Sequence, residues 1–191
     1  MKSRILDMLW LLPIGLFGLW LSVSIEAAGE AGIQDLRIKI EDNRVLTTFR
    51  LINAFDDDFR RRIESGLPTD LVFSFKLERD RRSWFDQSVA SGRLQVIAMY
   101  NAVTSEYLVN FKHDGNLIES RVVRDPDELH KAMTQLTDFP VFSIAGRNPQ
   151  ERLQLRVRAE LGTSMVLAFI PRTLATEWAK TDRFRISDLA N

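Results

Sequence analysis

Residues 153–161 read Leu-Gln-Leu-Arg-Val-Arg-Ala-Glu-Leu, and residues 71–77 read Leu-Val-Phe-Ser-Phe-Lys-Leu. In both stretches every second side chain is apolar, and most of the side chains between them are polar. This alternation is typical of a strand with one face on the core and the other in water, as in antiparallel sheets. The two stretches therefore predict a mainly β protein.

The same alternation predicts more strands on either side of these two. Asp114-Gly115 separates two of them and is a strong signal for a two-residue hairpin turn. Residues 165–170 are apolar without a period, so a buried strand and a short core helix both remain open there. The further predicted strands are 36–40, 44–52, 94–100, 106–112, 116–123 and a last short one at 183–187.

Two helices interrupt the strands. The first is predicted at 56–65, where three aspartates precede three arginines at i,i+4 spacing, a charge order that stabilises a helix. The second is predicted at 126–136, with Asp125 as its cap, Pro126 in the first turn and Glu128 completing a capping box. A third helix is predicted at 173–180, because Leu174 and Trp178 are four residues apart.

These elements predict a mainly β (α+β) fold. The chain has 191 residues, of which 45% are hydrophobic, enough to form the core of one domain without disulfides. We expect an antiparallel β-sandwich or curled sheet of about eight strands with two to three short helices, a single domain over residues 30–191.

The N-terminus has the pattern of an export signal. Lys2 and Arg4 precede an uncharged apolar run at 8–21, and small residues follow at 27–31. The run is shorter than the roughly 20 residues of a comfortable membrane span. Residues 1–29 are therefore predicted to be a signal peptide, with an uncleaved anchor as the alternative. We expect export to the periplasm or to the periplasmic face of the inner membrane, with inner-membrane association if the segment is retained.

The composition argues against several classes of catalytic and binding site. The chain has no Cys, two His and equal numbers of acidic and basic residues, so thiolate chemistry is excluded and nucleic-acid binding is not expected. No catalytic motif occurs, and His113 or His130 is a base only beside a nucleophile and an orienting acid. Residues 56–58 lack the glycine spacing of a calcium loop. We expect no enzyme, no cofactor and no metal site.

Two surfaces are candidates for binding a partner, because Arg and Trp are enriched at interface hot spots. One is the charged run at 78–82 that leads into Trp84, and its candidate residues are Arg81, Arg82, Trp84 and Asp86. The other is a basic strand face that includes Arg156 and Arg158, and it forms only if the strands concerned are neighbours. The basic residues on predicted polar strand faces are Arg37, Lys39, Lys76, Arg152, Arg156 and Arg158.

Three segments resemble a known family. They are Ser65-Gly66-Leu67-Pro68, Arg81-Arg82-Ser83-Trp84-Phe85-Asp86 and Tyr100-Asn101-Ala102-Val103-Thr104-Ser105-Glu106-Tyr107. Together with the second helix they resemble an uncharacterised family of exported proteobacterial proteins, domain of unknown function 4390, over residues 33–188. Phe184 stands where the family has Trp. The resemblance brings no activity, and it implies a signalling partner in the envelope, a membrane sensor kinase of the nitrogen type.

The sequence thus predicts a non-enzymatic interaction module of the cell envelope, accessory to a membrane sensor system. Its expected partner is a membrane or envelope protein. The alternative is a periplasmic carrier of lipid or a small apolar ligand, with a cavity lined by Phe73, Phe75 and Met133.

Overall fold

The computed structural model describes residues 29–79, 87–166 and 170–189. These residues form two antiparallel sheets and three short helices. The smaller sheet combines β1 (Gly32–Glu41), β2 (Arg44–Ile52) and β7 (Gln135–Ser143) in the order β1-β2-β7. The predicted mainly β, antiparallel fold is confirmed.

The larger sheet contains eight strands of the described chain. They are β3 (Thr69–Arg79), β4 (Gln87–Asn101), β5 (Glu106–His113), β6 (Asn116–Val123), β8 (Arg152–Val166), β9 (Ile170–Ala175), β10 (Ala179–Lys180) and β11 (Phe184–Arg185). Five of them lie side by side in the order β8-β3-β4-β5-β6. The three short strands β9, β10 and β11 all pair with the remaining edge of β8, one after another along its length.

Two of the tight turns follow directly from residue type. Asp42 and Asn43 join β1 to β2 with φ of 50° and 57°, and Asp114 and Gly115 join β5 to β6 with φ of 47° and 85°. A two-residue hairpin with positive φ at both positions matches the twist of the flanking strands, and Asp, Asn and Gly tolerate this backbone best. The hairpin at Asp114-Gly115 was predicted.

The helices are α1 (Asp57–Glu64), α2 (Pro126–Thr134) and α3 (Ile186–Leu189). The Asp56 side chain caps α1 by accepting a hydrogen bond from the Phe59 backbone at 2.7 Å, and Asp125 caps α2 as predicted. Asp56 serves as the cap, and the two ion pairs of α1 follow i,i+3 spacing, Asp57 with Arg60 and Asp58 with Arg61. The predicted i,i+4 spacing of these pairs is wrong.

The core lies between the two sheets. The Phe49 ring of the smaller sheet meets the Phe73 ring of the larger one with centroids 5.1 Å apart, and both side chains are fully buried. Leu129 and Met133 of α2 are also fully buried. The inward side chains of β3 and β8 are the apolar set of the two opening stretches, so the period-two pattern decides which face is buried.

Several elements in the second half of the chain differ from the sequence-based prediction. The last predicted strand, at 183–187, is a strand only at Phe184–Arg185, and α3 begins at Ile186. The second helix ends at Thr134, and the chain continues directly into β7, which was not predicted. Leu136 is buried on this strand rather than on the helix. The third helix, at 173–180, is wrong: β9 ends at Ala175 and β10 begins at Ala179. At 165–170 the described residues are strand, since β8 runs to Val166 and β9 starts at Ile170, and residues 167–169 lie outside the described residues.

Candidate interaction surface

The outward face of the β3–β8 pair collects positive charge. Antiparallel pairing sets Lys76 opposite Arg156 and Ser74 opposite Arg158. Because Leu155 and Val157 point into the core, Arg156 and Arg158 point outward from the same strand. The register of two alternating strands thus brings three cationic side chains together on one face.

Trp178 packs among these three cations. Its ring centroid lies 4.9 Å from Lys76 Nζ, 5.2 Å from Arg156 Cζ and 4.8 Å from Arg158 Cζ. A cation over an indole face is attracted by the ring quadrupole, by roughly 0.5–1 kcal/mol at exposed sites. The half-buried indole therefore serves as a common platform for three cationic groups.

Two buried threonines hold the segment that carries Trp178. The Thr176 backbone donates to Ala159 O at 2.9 Å, and its hydroxyl accepts from Ala159 N at 3.1 Å. Thr181 makes the same two bonds to Leu155, at 3.0 and 3.2 Å. Each hydroxyl also donates to the carbonyl of the next residue along the chain. We call residues 176–181 the clamped segment, since both of its ends are bonded to β8.

Two carboxylates balance part of the charge. Glu78 accepts from Arg156 Nη1 at 3.0 Å. Glu160 accepts from Arg93 Nη2 at 2.8 Å, from Ser74 Oγ at 3.0 Å and from Arg158 Nη2 at 3.4 Å. These residues form what we call the Trp178 surface: Trp178, Lys76, Arg93, Arg156, Arg158, Glu78 and Glu160.

The Trp178 surface has four cations and two carboxylates, so it keeps an excess of positive charge. The Arg156 and Arg158 side chains are 25% and 34% exposed, and Arg93 is 60% exposed. Guanidinium and ammonium donors in this arrangement bind carboxylates.

The structure describes two of the six predicted partner-binding residues. Arg156 and Arg158 lie together on the Trp178 surface. Arg81, Arg82, Trp84 and Asp86 lie outside the described residues, so their role stays a prediction.

The predicted basic strand face forms only in part. Lys76 joins Arg156 and Arg158. Arg37 and Lys39 are on β1 in the smaller sheet, and Arg152 is exposed at the start of β8, opposite Arg185. Alternation alone could not show which strands are neighbours. Trp178 was missed because its segment was predicted to be a helix; Thr-x₄-Thr flanking an aromatic was the available signal.

The two histidines lie in aromatic surroundings. His113 faces the Phe139 ring with centroids 5.4 Å apart, and His130 faces Phe55 at 5.0 Å. Asp57 and Asp58 are used in ion pairs with arginines of α1. Over the part of the chain that the structure describes, no group of three or more His, Asp or Glu is placed to hold a metal ion.

The hypothesised carrier cavity falls in the packed core. Phe73, Phe75 and Met133 are at most 1% exposed, and their side chains fill the space between the sheets. A separate open cleft of about 580 Å³ lies where α1 approaches β3 and the register shift of β8 at Gly162. Its lining is mixed, with Asp56, Arg62 and Asp70 beside Leu67 and Leu174.

Comparison with known proteins identifies a family. A family model described as Domain of unknown function (DUF4390) matches residues 28–181. No curated protein and no solved structure matches the chain. Among the described residues no helix is long and apolar enough to cross a membrane, and the apolar run at 8–21 lies outside them.

Proposed function

The chain belongs to the family of domain of unknown function DUF4390, and we propose that it is a non-enzymatic interaction module of the cell envelope. In this proposal the Trp178 surface docks on an acidic surface of an envelope protein. The observation that carries the proposal is the packing of three cationic groups around one indole ring, at 4.8 to 5.2 Å.

Preorganisation supports a binding role. Arg and Lys side chains lose rotamer entropy when they are immobilised at an interface, by about 0.5–1.5 kcal/mol each. Here Arg156 and Arg158 are already held between Trp178 and the carboxylates of Glu78 and Glu160. Part of the entropy cost of binding is thus met within the folded chain. Trp and Arg are also the residue types most enriched at hot spots.

A protein partner suits this surface better than an anionic membrane. Glu78 and Glu160 lie among the cations, and a layer of anionic headgroups would repel both carboxylates. A protein can present acidic groups to Arg93 and Lys76 and leave the two glutamates unopposed. The N-terminal apolar run supports the proposed location in the envelope. A membrane sensor system as the source of the partner is likewise a proposal.

In-cell photo-crosslinking tests the proposal. A photoreactive amino acid replaces Lys180, which is exposed on β10 opposite Arg156, in the full-length chain. The same amino acid at Val103, which is 94% exposed in the turn after β4, is the positional control. We expect a protein adduct at 180 and none at 103. Mass spectrometry then identifies the adduct.

Charge variants make the test specific to the Trp178 surface. Lys76→Gln combined with Arg158→Gln removes two positive charges from it and is expected to lower the adduct yield about tenfold. Arg37→Gln combined with Lys39→Gln removes two charges from the smaller sheet and is expected to leave the yield unchanged. Thermal melting confirms that both variants are folded.

Equal yields from the two charge variants would overturn the proposal, and so would the absence of any protein adduct at 180. Vesicles with about 30% anionic lipid provide the remaining arm of the test. Flotation with these vesicles that depends on Lys76 and Arg158, without a protein adduct, would assign the surface to the membrane instead.

A further inference from the structure

The strand β6 lies at the end of the larger sheet. It pairs with β5 on one side, and the sheet order ends with it. On its other side no strand of the described chain is hydrogen-bonded to it. Residues 116–122 are all exposed, and Leu117, Ile118 and Val122 are 59%, 51% and 60% exposed. The strand therefore presents free backbone groups and apolar side chains to solvent.

Edge strands are usually protected against pairing with another chain, by proline, lysine, bulges or covering elements. The sequence of β6 is Asn-Leu-Ile-Glu-Ser-Arg-Val-Val, which has neither Pro nor Lys. Its register with β5 shifts only near Leu117 and Ile118, so residues 119–123 pair regularly. This half of the edge keeps the geometry that a further strand needs.

The residue order of β6 is complementary to itself when the strand is reversed about Ser120. Glu119 and Arg121 flank Ser120, and Ile118 and Val122 flank that pair. If β6 pairs antiparallel with a second β6 about Ser120, each Glu119 lies opposite Arg121 of the other copy. Each Ile118 then lies opposite Val122 of the other copy. Opposite charges and apolar pairs directly across two strands stabilise a sheet.

The faces of the strand agree with this pairing. Arg121 lies opposite Val109 and Glu119 opposite Phe111, and the Arg121 guanidinium carbon is 4.7 Å from the centre of the Phe111 ring. Val122 lies opposite Leu108, on the other face of the sheet. The charged pairs of the symmetric arrangement thus lie on one face of the sheet, and Val122 lies on the other, as period-two alternation requires over the regularly paired residues 119–123.

We propose that the chain forms a two-fold symmetric dimer through antiparallel pairing of β6 with β6 of a second copy. A two-fold interface requires a surface that is complementary to itself, so that residue i meets j and j meets i. The charge order of β6 satisfies that condition, and it favours a second copy over an unrelated extended peptide. The proposal is independent of the Trp178 surface.

Cysteine cross-linking tests the dimer directly, because the chain contains no Cys. Ser120→Cys is introduced into the full-length chain in a mild detergent, and a short bis-maleimide is added. The two thiols lie at the symmetry axis of the proposed dimer, so a product of twice the chain mass is expected. Val103→Cys, at a site 94% exposed, is the control for random encounters and for association through the N-terminus, and it is expected to give little product.

Charge reversal tests the register. With Ser120→Cys present, Glu119→Arg sets like charges opposite each other in the self-pair, and so does Arg121→Glu. Each variant alone is expected to lose about tenfold in cross-linked product. A mixture of the two restores opposite charges in a heterodimer and is expected to recover the product. The double variant Glu119→Arg/Arg121→Glu also restores them and is expected to cross-link like the parent.

The recovery arms separate pairing from folding, since a variant that fails to fold is not rescued by mixing. Thermal melting of each variant gives the same check independently. The proposal is overturned if Ser120→Cys cross-links no more than Val103→Cys. It is also overturned if the single charge reversals keep the product, or if neither the mixture nor the double variant recovers it.

Discussion

The two edges of the larger sheet differ in whether further strands cover them. At one edge, β8 is covered along its length by β9, β10 and β11, and the clamped segment is bonded to it through Thr176 and Thr181. At the other edge, β6 is exposed, with apolar side chains in water. In this fold the strands β9 to β11 protect one edge of the sheet from pairing with another chain, and the other edge stays available for such pairing.

Polar contacts of two buried threonines help to hold the covered edge. Thr176 and Thr181 are 5% and 9% exposed, and their hydroxyls supply acceptors for two backbone N–H groups of β8. The surface that the clamped segment presents, Trp178 with its cations, exists only because this edge is ordered. Loss of the clamps should therefore affect both stability and the proposed binding.

The largest expected effect is at the clamps. Thr176→Val or Thr181→Val leaves a buried backbone N–H of β8 without its acceptor, which costs about 1–3 kcal/mol of unfolding free energy for each change. Urea denaturation measures the loss. Thr137→Val on an exposed position of β7 is the matched control and is expected to change the value by less than about 0.5 kcal/mol. Equal values for the three variants would show that the clamps do not hold the edge.

A smaller effect is expected at the open edge. Ile118→Thr combined with Val122→Thr removes apolar groups that are already exposed, so the free energy of unfolding of the monomer changes by less than about 0.5 kcal/mol. Cross-linking of the Ser120→Cys dimer falls several-fold, because the apolar pairs across the axis are lost. A monomer destabilised by more than about 1 kcal/mol would mean that this edge is covered, and the comparison would fail.

The smallest effect is the pH dependence of the open edge. The hydrogen bond and charge of Arg121 lower the pKa of Glu119 below its ordinary value of 4.5. A lowered folded-state pKa adds stability that is present above 4.5 and is lost as the pH falls through the folded value. Because Arg121 and Glu119 are 50% and 45% exposed, solvent screens the pair and the contribution is small.

Denaturation of the parent and of Glu119→Gln at about pH 6 and about pH 3 checks this direction, since the pair acts only while the carboxylate is charged. At the higher pH the parent is expected to be slightly more stable than Glu119→Gln. At the lower pH the two proteins are expected to be equally stable. The clamp hydroxyls do not titrate in this range, so the deficit of Thr181→Val is expected to persist at both values. A larger Glu119 effect at low pH would contradict the assigned sign.

Most strands could be predicted from alternation, because burial of one sheet face imposes a period of two on the chain. The range Arg44–Ile52 and the range Asn116–Val123 match the observed strands end to end. The failures lie where that signal is absent. Leu136 continues the apolar stripe of the second helix and Pro140 is unusual within a strand, so β7 was missed.

The candidate surface was harder to predict than the fold. Lys76, Arg156 and Arg158 were all chosen from their strand faces, whereas their meeting on one surface depends on the pairing of β3 with β8. Trp178 is brought in by hydrogen bonds of two threonines to a distant strand, which helical spacing cannot reveal. Export of the chain and the role of Arg81, Arg82, Trp84 and Asp86 stay predictions.

Local residue chemistry by itself determined the strand periods, the turns at Asp42-Asn43 and Asp114-Gly115, and the capped starts of α1 and α2, since these depend on neighbours within a few residues. The sequence also determined membership of the family described as Domain of unknown function (DUF4390). Only the tertiary structure decided which strands are neighbours, which edge of the sheet is covered and which cations meet at Trp178. Those depend on contacts between residues far apart in the chain, and a period of two is the same whichever strand lies alongside.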